Sequence, residues 1–165
     1  MRAFFSGPPP LNDYRLRGEW AEWLARFPWT HFGTYTFQEP RQTVRSVVGC
    51  YRAYGRTLAE RCGMRNRSFA VVEGRDGSTR LHLHSLSILE WDRQRAPARA
   101  LLSPEYGLHQ TAWREWFERY GRARVSPLGA DGIGAAYYVA KYLLKEDEPR
   151  WEFLPSHGWE RIVPA

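Results

Sequence analysis

Two β-strand patterns joined by a tight turn limit the fold of this chain more than any other feature. Residues 68–73 and 80–89 are rich in β-branched, aromatic and other apolar side chains, which are typical of strands. Between them lies Gly74-Arg75-Asp76-Gly77, whose glycines and aspartate are typical of a hairpin turn. The sequence therefore predicts a β-hairpin, which determines which side chains of the two strands are neighbours.

Three potential metal ligands lie in this predicted hairpin. Side chains alternate between the two faces of a strand, so His82 and His84 project from the same face. The hairpin brings Glu73 next to them if its side chain lies on that face too. Two neutral imidazoles and a carboxylate leave open positions on a divalent cation, as in catalytic metal sites. The alternative is that the histidines pack inside the protein without a metal.

The rest of the second strand does not alternate cleanly. Leu86 and Ile88 share the face of the histidines, whereas Ser85 and Ser87 point the opposite way. This pattern predicts either a strand that is covered on both faces or a β-bulge.

The segments around the hairpin are predicted to alternate between helix and strand. Thr43 is a suitable N-terminal cap and Gly63 a suitable end for a helix between them. In a predicted strand before that helix, Thr34 and Thr36 share one face, where their hydroxyls can contact a phosphate. The helical segments are 16–27, 43–62 and 113–120, the strand segments are 30–37 and 122–125, and 92–105 is predicted to be irregular.

Residues 135–145 form two distinct faces when they are arranged as a helix. The apolar face contains Ile133, Ala136, Ala140, Leu143 and Leu144. The opposite face contains Tyr138, Lys141, Tyr142 and Lys145. Tyr137 lies at the boundary of the apolar face and is predicted to be a packing residue. A polar face that meets water is the simplest interpretation, but two tyrosines one turn apart can also act as a pair of nucleophiles.

Charge and composition favour a nucleic-acid partner over a membrane. The formal charge is +6 and the sequence pI is about 9.6, and no apolar run is long enough to span a bilayer. Of the 24 basic residues only Lys141 and Lys145 are lysines, and both lie on the face with the tyrosines. Lysine offers a compact charge with a tunable pKa that arginine cannot offer.

Length and cysteine content predict one compact domain in a reducing compartment. A chain of 165 residues can bury a sufficient core without disulfides or a structural metal. Cys50 and Cys62 lie too far apart along a helix to be bridged, which favours a reduced, cytoplasmic protein. The first residues lack the apolar core of a signal peptide, so export is not expected.

Three segments resemble, in the expected order, the motifs of the HUH endonuclease superfamily and especially its rolling-circle replication initiators (Rep proteins). The histidine pair is His82-Leu83-His84, and the tyrosine motif is Tyr138-Val139-Ala140-Lys141-Tyr142. The aromatic and threonine-rich strand at 32–37 is similar to the family's first motif. Two tyrosines correspond to the two-tyrosine branch, such as the gene A proteins of small single-stranded DNA phages.

This resemblance implies an α+β fold with a ferredoxin-like core, in which flanking helices cover a central antiparallel sheet. The sheet carries the metal ligands, and one helix presents the nucleophiles. We expect a single domain with a core at about 28–146, a helical extension at 14–27 and a packed tail at 147–165. By the same resemblance His82, His84 and Glu73 bind Mg²⁺ or Mn²⁺, although these donors also suit zinc.

The implied reaction is nicking of single-stranded DNA. Tyr138 corresponds to the nucleophile that forms a 5′-phosphotyrosine, Tyr142 to the second tyrosine, and Lys141 stabilises phenolate or phosphate. The expected partners are single-stranded or hairpin DNA at a plasmid or phage replication origin, and a host helicase and polymerase. A transposase or relaxase with the same core, or a non-catalytic nucleic-acid-binding module, are the alternatives. The residues expected to contact DNA are Thr34, Thr36, Arg80 and Lys145.

Overall fold

The computed structural model of the chain describes residues 16–41, 43–74, 77, 80–102, 107–129, 132–143 and 151–154. Within these residues the helices are α1 (Leu16–Ala25), α2 (Val44–Arg61), α3 (Ala98–Leu102), α4 (Leu108–Phe117) and α5 (Ile133–Leu143). The strands are β1 (His31–Tyr35), β2 (Met64–Glu73), β3 (His82–Trp91), β4 (Ala123–Pro127) and β5 (Trp151–Leu154).

The strands form one antiparallel sheet in the order β4-β1-β3-β2-β5. Without α1, α5, β5 and the short α3, the chain runs β1-α2-β2-β3-α4-β4, which is the order of elements in a ferredoxin-like core. Helices α2 and α4 cover one face of the sheet, and α1 and α5 cover the other. The predicted α+β fold, with flanking helices on a central antiparallel sheet, is confirmed.

Each face of the sheet has its own hydrophobic core, and β3 contributes to both. Leu86 and Ile88 pack under α1 and α5, whereas Leu83 and Leu89 pack under α2 and α4. The strand pairs with β2 residue by residue along its whole length, from Trp91 opposite Met64 to His82 opposite Glu73. The uneven pattern of β3 therefore reflects a strand covered on both faces and not a bulge.

The predicted boundaries of α2 are confirmed by its two ends. The Thr43 hydroxyl accepts a hydrogen bond from the Ser46 amide at 3.1 Å, which satisfies a free N–H of the first turn. Beyond the last turn, Gly63 has φ 65°, a left-handed conformation that glycine adopts without steric cost. Local sequence signals at both ends therefore determine the length of this helix.

The tail expected at 147–165 contains an edge strand that the sequence does not predict. Strand β5 pairs with β2, and its Trp151 and Phe153 rings pack against the core beneath α1. A four-residue strand is too short to show a clear alternation, so its formation depends on pairing and on these two aromatic contacts. The short α3 likewise lies in the segment that is predicted to be irregular.

Gly121 lies where two backbone segments approach closely. Its φ is 143°, and a Cβ atom there would clash with backbone atoms of Thr36, Phe37 and Gln38. We expect Gly121→Ala to lower the free energy of unfolding by about 1–3 kcal/mol, measured by urea denaturation. The control is Gly49→Ala inside α2, where the new methyl meets nothing within 4 Å and should stabilise the helix by about 0.5–1 kcal/mol. Equal changes in the two variants would contradict this prediction.

His31 is a buried histidine at the start of β1, and it should make stability depend on pH. Burial and the nearby His109 lower the pKa of His31 to about 4 from an ordinary value of 6.5. As the pH falls through this interval, the unfolded chain binds the proton before the folded protein does, so stability is lost. We expect His31 to contribute a loss of up to about 3 kcal/mol between pH 6.5 and 4.

The measurement is the free energy of unfolding in urea across that pH interval for the wild type and for His31→Leu. The variant has no titrating group at this position, so its unfolding free energy should depend less steeply on pH. Identical slopes for the two proteins would show that His31 is not held neutral by the fold.

Candidate metal and tyrosine site

The hairpin brings the three predicted metal ligands together. Glu73 lies directly opposite His82 in the β2–β3 register, and Val71 lies opposite His84. Opposite residues share a face of an antiparallel pair, so all three ligand side chains lie on the face covered by α1 and α5. One nitrogen of each imidazole and one carboxylate oxygen lie within 4.8 Å of one another. These residues form a possible metal-binding group.

Both histidines direct Nε2 toward the same oxygen. Nε2 of His82 is 2.7 Å from Oε2 of Glu73, and Nε2 of His84 is 3.2 Å from that atom. On the other side of each ring, Nδ1 of His82 donates to the Arg80 carbonyl at 2.8 Å, and Nδ1 of His84 lies 3.1 Å from the Thr34 hydroxyl. Hydrogen bonds on Nδ1 orient metal-binding histidines in many proteins and leave Nε2 for the ion.

The geometry of the three side chains fits a cation. A carbonyl oxygen only accepts, so Nδ1 of His82 carries a proton and Nε2 is the ring nitrogen available to an ion. Both Nε2 atoms and Oε2 of Glu73 converge, as the ligands of one cation do. The separations of about 3 Å also match neighbouring ligands in an octahedral shell of about 2.1 Å radius.

Both predicted tyrosines reach this group from α5, which packs on β2 and β3. The Tyr142 ring stacks on the His84 imidazole, with centroids 4.4 Å apart and planes inclined by 18°. The Tyr138 ring meets the same imidazole edge-on, at a centroid distance of 5.4 Å. The Tyr142 hydroxyl donates to the Tyr138 hydroxyl at 2.8 Å. The possible metal ligands and both tyrosines therefore form one contiguous cluster.

The two tyrosines differ in exposure, and the environment of Tyr142 shifts its pKa. Tyr138 is 42% exposed, whereas Tyr142 is only 8% exposed. Burial, the hydrogen bond to Tyr138 and the negative charge of Glu73 raise the pKa of Tyr142 well above its usual value. Tyr142 therefore stays protonated at neutral pH and acts as a donor, while Tyr138 presents the accessible oxygen.

The structure corrects the predicted faces of α5 at three positions. Tyr142, predicted opposite the apolar face, is part of the core with Ala136, Ala140 and Leu143. Tyr137, predicted to be a packing residue, is 40% exposed. Ile133, predicted on the apolar face, is exposed at the first position of the helix. The core on this side is broader than the apolar stripe, because α5 lies across the sheet and also against α1.

Of the residues predicted to contact DNA, some lie next to the histidines and others do not. Thr34 faces His84, and Arg80 is exposed in the turn just before β3, where its carbonyl contacts His82. The Thr36 hydroxyl donates to the Arg122 carbonyl at 2.9 Å, away from the histidines. Lys145 lies outside the described residues, as does Leu144 of the predicted apolar face.

Phe32 and Thr34 of β1 make contacts in the site that the sequence does not reveal. The Phe32 ring is nearly parallel to the His84 ring at 6.1 Å and meets Tyr138 edge-on at 5.4 Å. Thr34 lies directly opposite His84 in the β1–β3 register. Because this register pairs residues that are about fifty positions apart in the chain, the sequence does not show that Phe32 and Thr34 meet His84. The local sequence shows only that they belong to an aromatic and threonine-rich strand.

No match was found for this chain among protein-family models, curated proteins or solved structures. Within the described part of the chain, no helix is both long and apolar enough to cross a membrane.

The hydrogen bond between Thr34 and His84 should strengthen metal binding. Replacing Thr34 with valine removes the partner of Nδ1 while keeping the shape of the side chain. We expect Mn²⁺ affinity, measured by titration calorimetry, to fall about 10–100-fold. Thr36→Val is the matched control, because the Thr36 hydroxyl donates to the Arg122 carbonyl and does not contact the histidines. The Mn²⁺ affinity of this variant should equal that of the wild type. Equal losses in both variants would argue against a metal at His84.

Proposed function

We propose that this protein is a metal-dependent HUH-type endonuclease that nicks single-stranded DNA to start rolling-circle replication of a plasmid or phage. The observation that carries the proposal is the contact between an exposed tyrosine, Tyr138, and His84 of the possible metal-binding group. A phenol is a weak nucleophile unless nearby groups stabilise its anion and activate the electrophile. Tyr142 and Lys141 are the nearby groups that would stabilise the anion, and an ion held by Glu73, His82 and His84 would activate the electrophile.

The proposed reaction is a transesterification by Tyr138. Its hydroxyl oxygen forms a bond to phosphorus while the bond from phosphorus to the 3′-oxygen breaks. The phenol loses its proton, the 3′-oxygen gains one, and the products are a 5′-phosphotyrosine and a free 3′-hydroxyl. Since the phosphodiester is exchanged and not hydrolysed, a later attack by another hydroxyl rejoins a strand without external energy.

Tyr142 and Lys141 support this step in different ways. The Tyr142 hydroxyl donates to the Tyr138 oxygen, and a hydrogen bond to the charged form favours the phenolate. The exposed Lys141 ammonium lies 5.6 Å from the centre of the Tyr142 ring and adds positive charge beside the tyrosines. A nucleophilic attack by Tyr142 itself would require its ring to leave the stack on His84. Tyr138 is therefore the first nucleophile, and Tyr142 first acts as its donor.

Glu73, His82 and His84 are proposed to hold Mg²⁺ or Mn²⁺. The carboxylate supplies the negative charge, while Thr34 and the Arg80 carbonyl orient the two imidazoles. Three protein ligands leave positions for water and for a phosphate oxygen. The bound ion would polarise the phosphate and stabilise the charge that develops as the phosphodiester is attacked.

Single-stranded or hairpin DNA at a replication origin is the proposed substrate. The net charge of +6 favours the phosphate backbone and makes affinity fall with added salt. Arg80 and Lys141 are exposed beside the site and are the nearest candidates for these contacts. A host helicase and polymerase would unwind the duplex and extend the free 3′-hydroxyl.

The experiment that tests this function is a search for a covalent adduct. The protein is incubated with Mn²⁺ and a pool of single-stranded and hairpin oligonucleotides, labelled at either the 3′ or the 5′ end. A label at the 3′ end should stay with the denatured protein, and a label at the 5′ end should appear on a free fragment that polymerase can extend. Absence of an adduct with every substrate, or the opposite polarity, would reject the proposal.

A further inference from the structure

A cavity of about 970 Å³ lies at the other end of the sheet from the metal-binding group. His31, Leu89 and Trp91 line it where β1 begins and β3 ends, and His109 of α4 lines its outer side. The end of β3 lies five to seven residues beyond His84, a separation of roughly 20 Å along the strand. Its size is within the range of small-molecule and cofactor sites. The proposed nuclease chemistry leaves this cavity unused.

The polar group of interest in the cavity is the His31 ring. The side chain is only 6% exposed, and its Nδ1 is 2.8 Å from the Thr30 hydroxyl. Thr30 is itself held by the Ser87 carbonyl at 3.1 Å and by the Leu89 amide at 2.9 Å, so the orientation of the His31 ring is well determined. Among the described residues, Nε2 of His31 has no hydrogen-bond partner. This atom keeps access to the cavity, so it is available to form a hydrogen bond with a ligand there.

Aromatic residues contribute to the cavity wall. Trp29 and Trp91 contribute indole rings, and the imidazoles of His31 and His109 lie with centroids 6.3 Å apart and planes inclined by 31°. Such surfaces favour a planar, polarisable ligand. Exposed Arg93 also lines the cavity, and among the described residues it has no ion-pair partner. The cavity therefore offers ring faces, one oriented imidazole nitrogen and a cation.

We propose that this cavity binds the base of a nucleotide, which stacks on the aromatic wall and forms a hydrogen bond with Nε2 of His31, while the phosphate of the same nucleotide lies near Arg93. A nucleotide combines a flat ring, hydrogen-bonding edges and an anion, which the three features of the cavity match. Its neutral ring also suits a histidine that stays neutral at physiological pH, since burial lowers the pKa of His31 to about 4. The base belongs either to a DNA strand or to a free nucleotide, and binding requires neither metal nor cleavage.

The test follows the ring nitrogens of the histidines by NMR while metal-free protein is titrated with deoxynucleoside monophosphates. Signals of His31 and His109 are assigned from the variants that lack them. We expect both signals to shift saturably, with no matching shift for His82 and His84. Deoxyribose 5-phosphate, which carries the phosphate without a base, should leave the His31 and His109 signals unchanged. Equal shifts with this compound, or no shift at millimolar nucleotide, would overturn the proposal.

Two substitutions of His109 separate stacking from a general change of structure. His109→Phe keeps a ring at the wall, whereas His109→Ala removes it. Loss of one stacking face should weaken nucleotide binding about tenfold or more in His109→Ala, measured from the His31 signal, and much less in His109→Phe. Identical affinities in both variants and the wild type would place the ligand elsewhere.

Titration with a short single-stranded oligonucleotide distinguishes the two sources of the base. Shifts of the same His31 and His109 signals indicate a base from a strand, and shifts with mononucleotides alone indicate a free nucleotide; both outcomes support the site. Because the measurement involves no adduct, its result is independent of whether Tyr138 acts as a nucleophile.

Discussion

Replacing Tyr138 with phenylalanine is expected to abolish the covalent adduct with DNA and to lower the rate of nicking by at least about a thousandfold. The substitution removes only the hydroxyl oxygen that would attack phosphorus. The ring contacts with His84 and Phe32 depend on the ring itself, so the variant should keep its fold and its Mn²⁺ affinity. Adduct formation is measured by denaturing electrophoresis with 3′-labelled DNA, and Mn²⁺ affinity by calorimetry.

Tyr142→Phe is the matched comparison, because it removes the neighbouring hydroxyl from the same helix. Its ring can still stack on His84, but the hydrogen bond to the Tyr138 oxygen is lost. We expect the adduct to form about ten- to a hundredfold more slowly, since a hydrogen bond to a charged group contributes roughly 1.5–3 kcal/mol. Peptide mapping should locate the DNA on Tyr138 in this variant. An adduct that survives in Tyr138→Phe and disappears in Tyr142→Phe would reverse the assigned roles.

Replacing Glu73 with glutamine should remove both metal binding and nicking. Glutamine keeps the size of the side chain but loses the negative charge that both Nε2 atoms face. Loss of a residue that only supports a metal ligand lowers affinity by up to roughly 100-fold. Because Glu73 is a proposed direct ligand, we expect Glu73→Gln to lower Mn²⁺ affinity by more than this. Wild-type protein should gain thermal stability with Mn²⁺ and lose that gain with a chelator, since an ion that binds only the folded state stabilises it.

A control and a second substitution make the metal prediction specific. His84→Ala should have the same effect as Glu73→Gln on Mn²⁺ affinity, whereas His109→Ala, on the other face of the sheet, should leave it unchanged. Circular dichroism identifies any variant that fails to fold. A wild-type protein that nicks DNA equally well after exhaustive chelation would exclude the proposed role of Glu73, His82 and His84.

Much of the site could be predicted because its parts lie close together in the chain. The hairpin 68–89 needs only a turn signal and two strand patterns, and its register then places Glu73 opposite His82. Helical spacing likewise places Tyr138 and Tyr142 one turn apart, and the structure joins their hydroxyls. The strand β5 could not be predicted, because four residues carry too little pattern and its partner β2 lies far away in the sequence.

The exposure of the two tyrosines could not be predicted from the helix alone. Periodicity separates side chains by direction around one axis, but it does not say how much of that surface the neighbouring elements cover. Helix α5 meets β2, β3 and α1, so its buried surface includes Tyr142 as well as the small residues. The same contacts leave Tyr137 and Tyr138 exposed, which changes the predicted role of Tyr137 from packing residue to surface residue.

The α+β fold class was implied by a family resemblance, while the sequence by itself determined the hairpin and the face that His82 and His84 share. These features follow from backbone geometry and from neighbours a few residues apart. Only the tertiary structure decided that Thr34 orients His84, that Tyr142 is buried as a donor and that Tyr138 is accessible beside the possible metal ligands. Those relations depend on how β1, β3 and α5 pack together, and packing between distant segments leaves no local pattern in the chain.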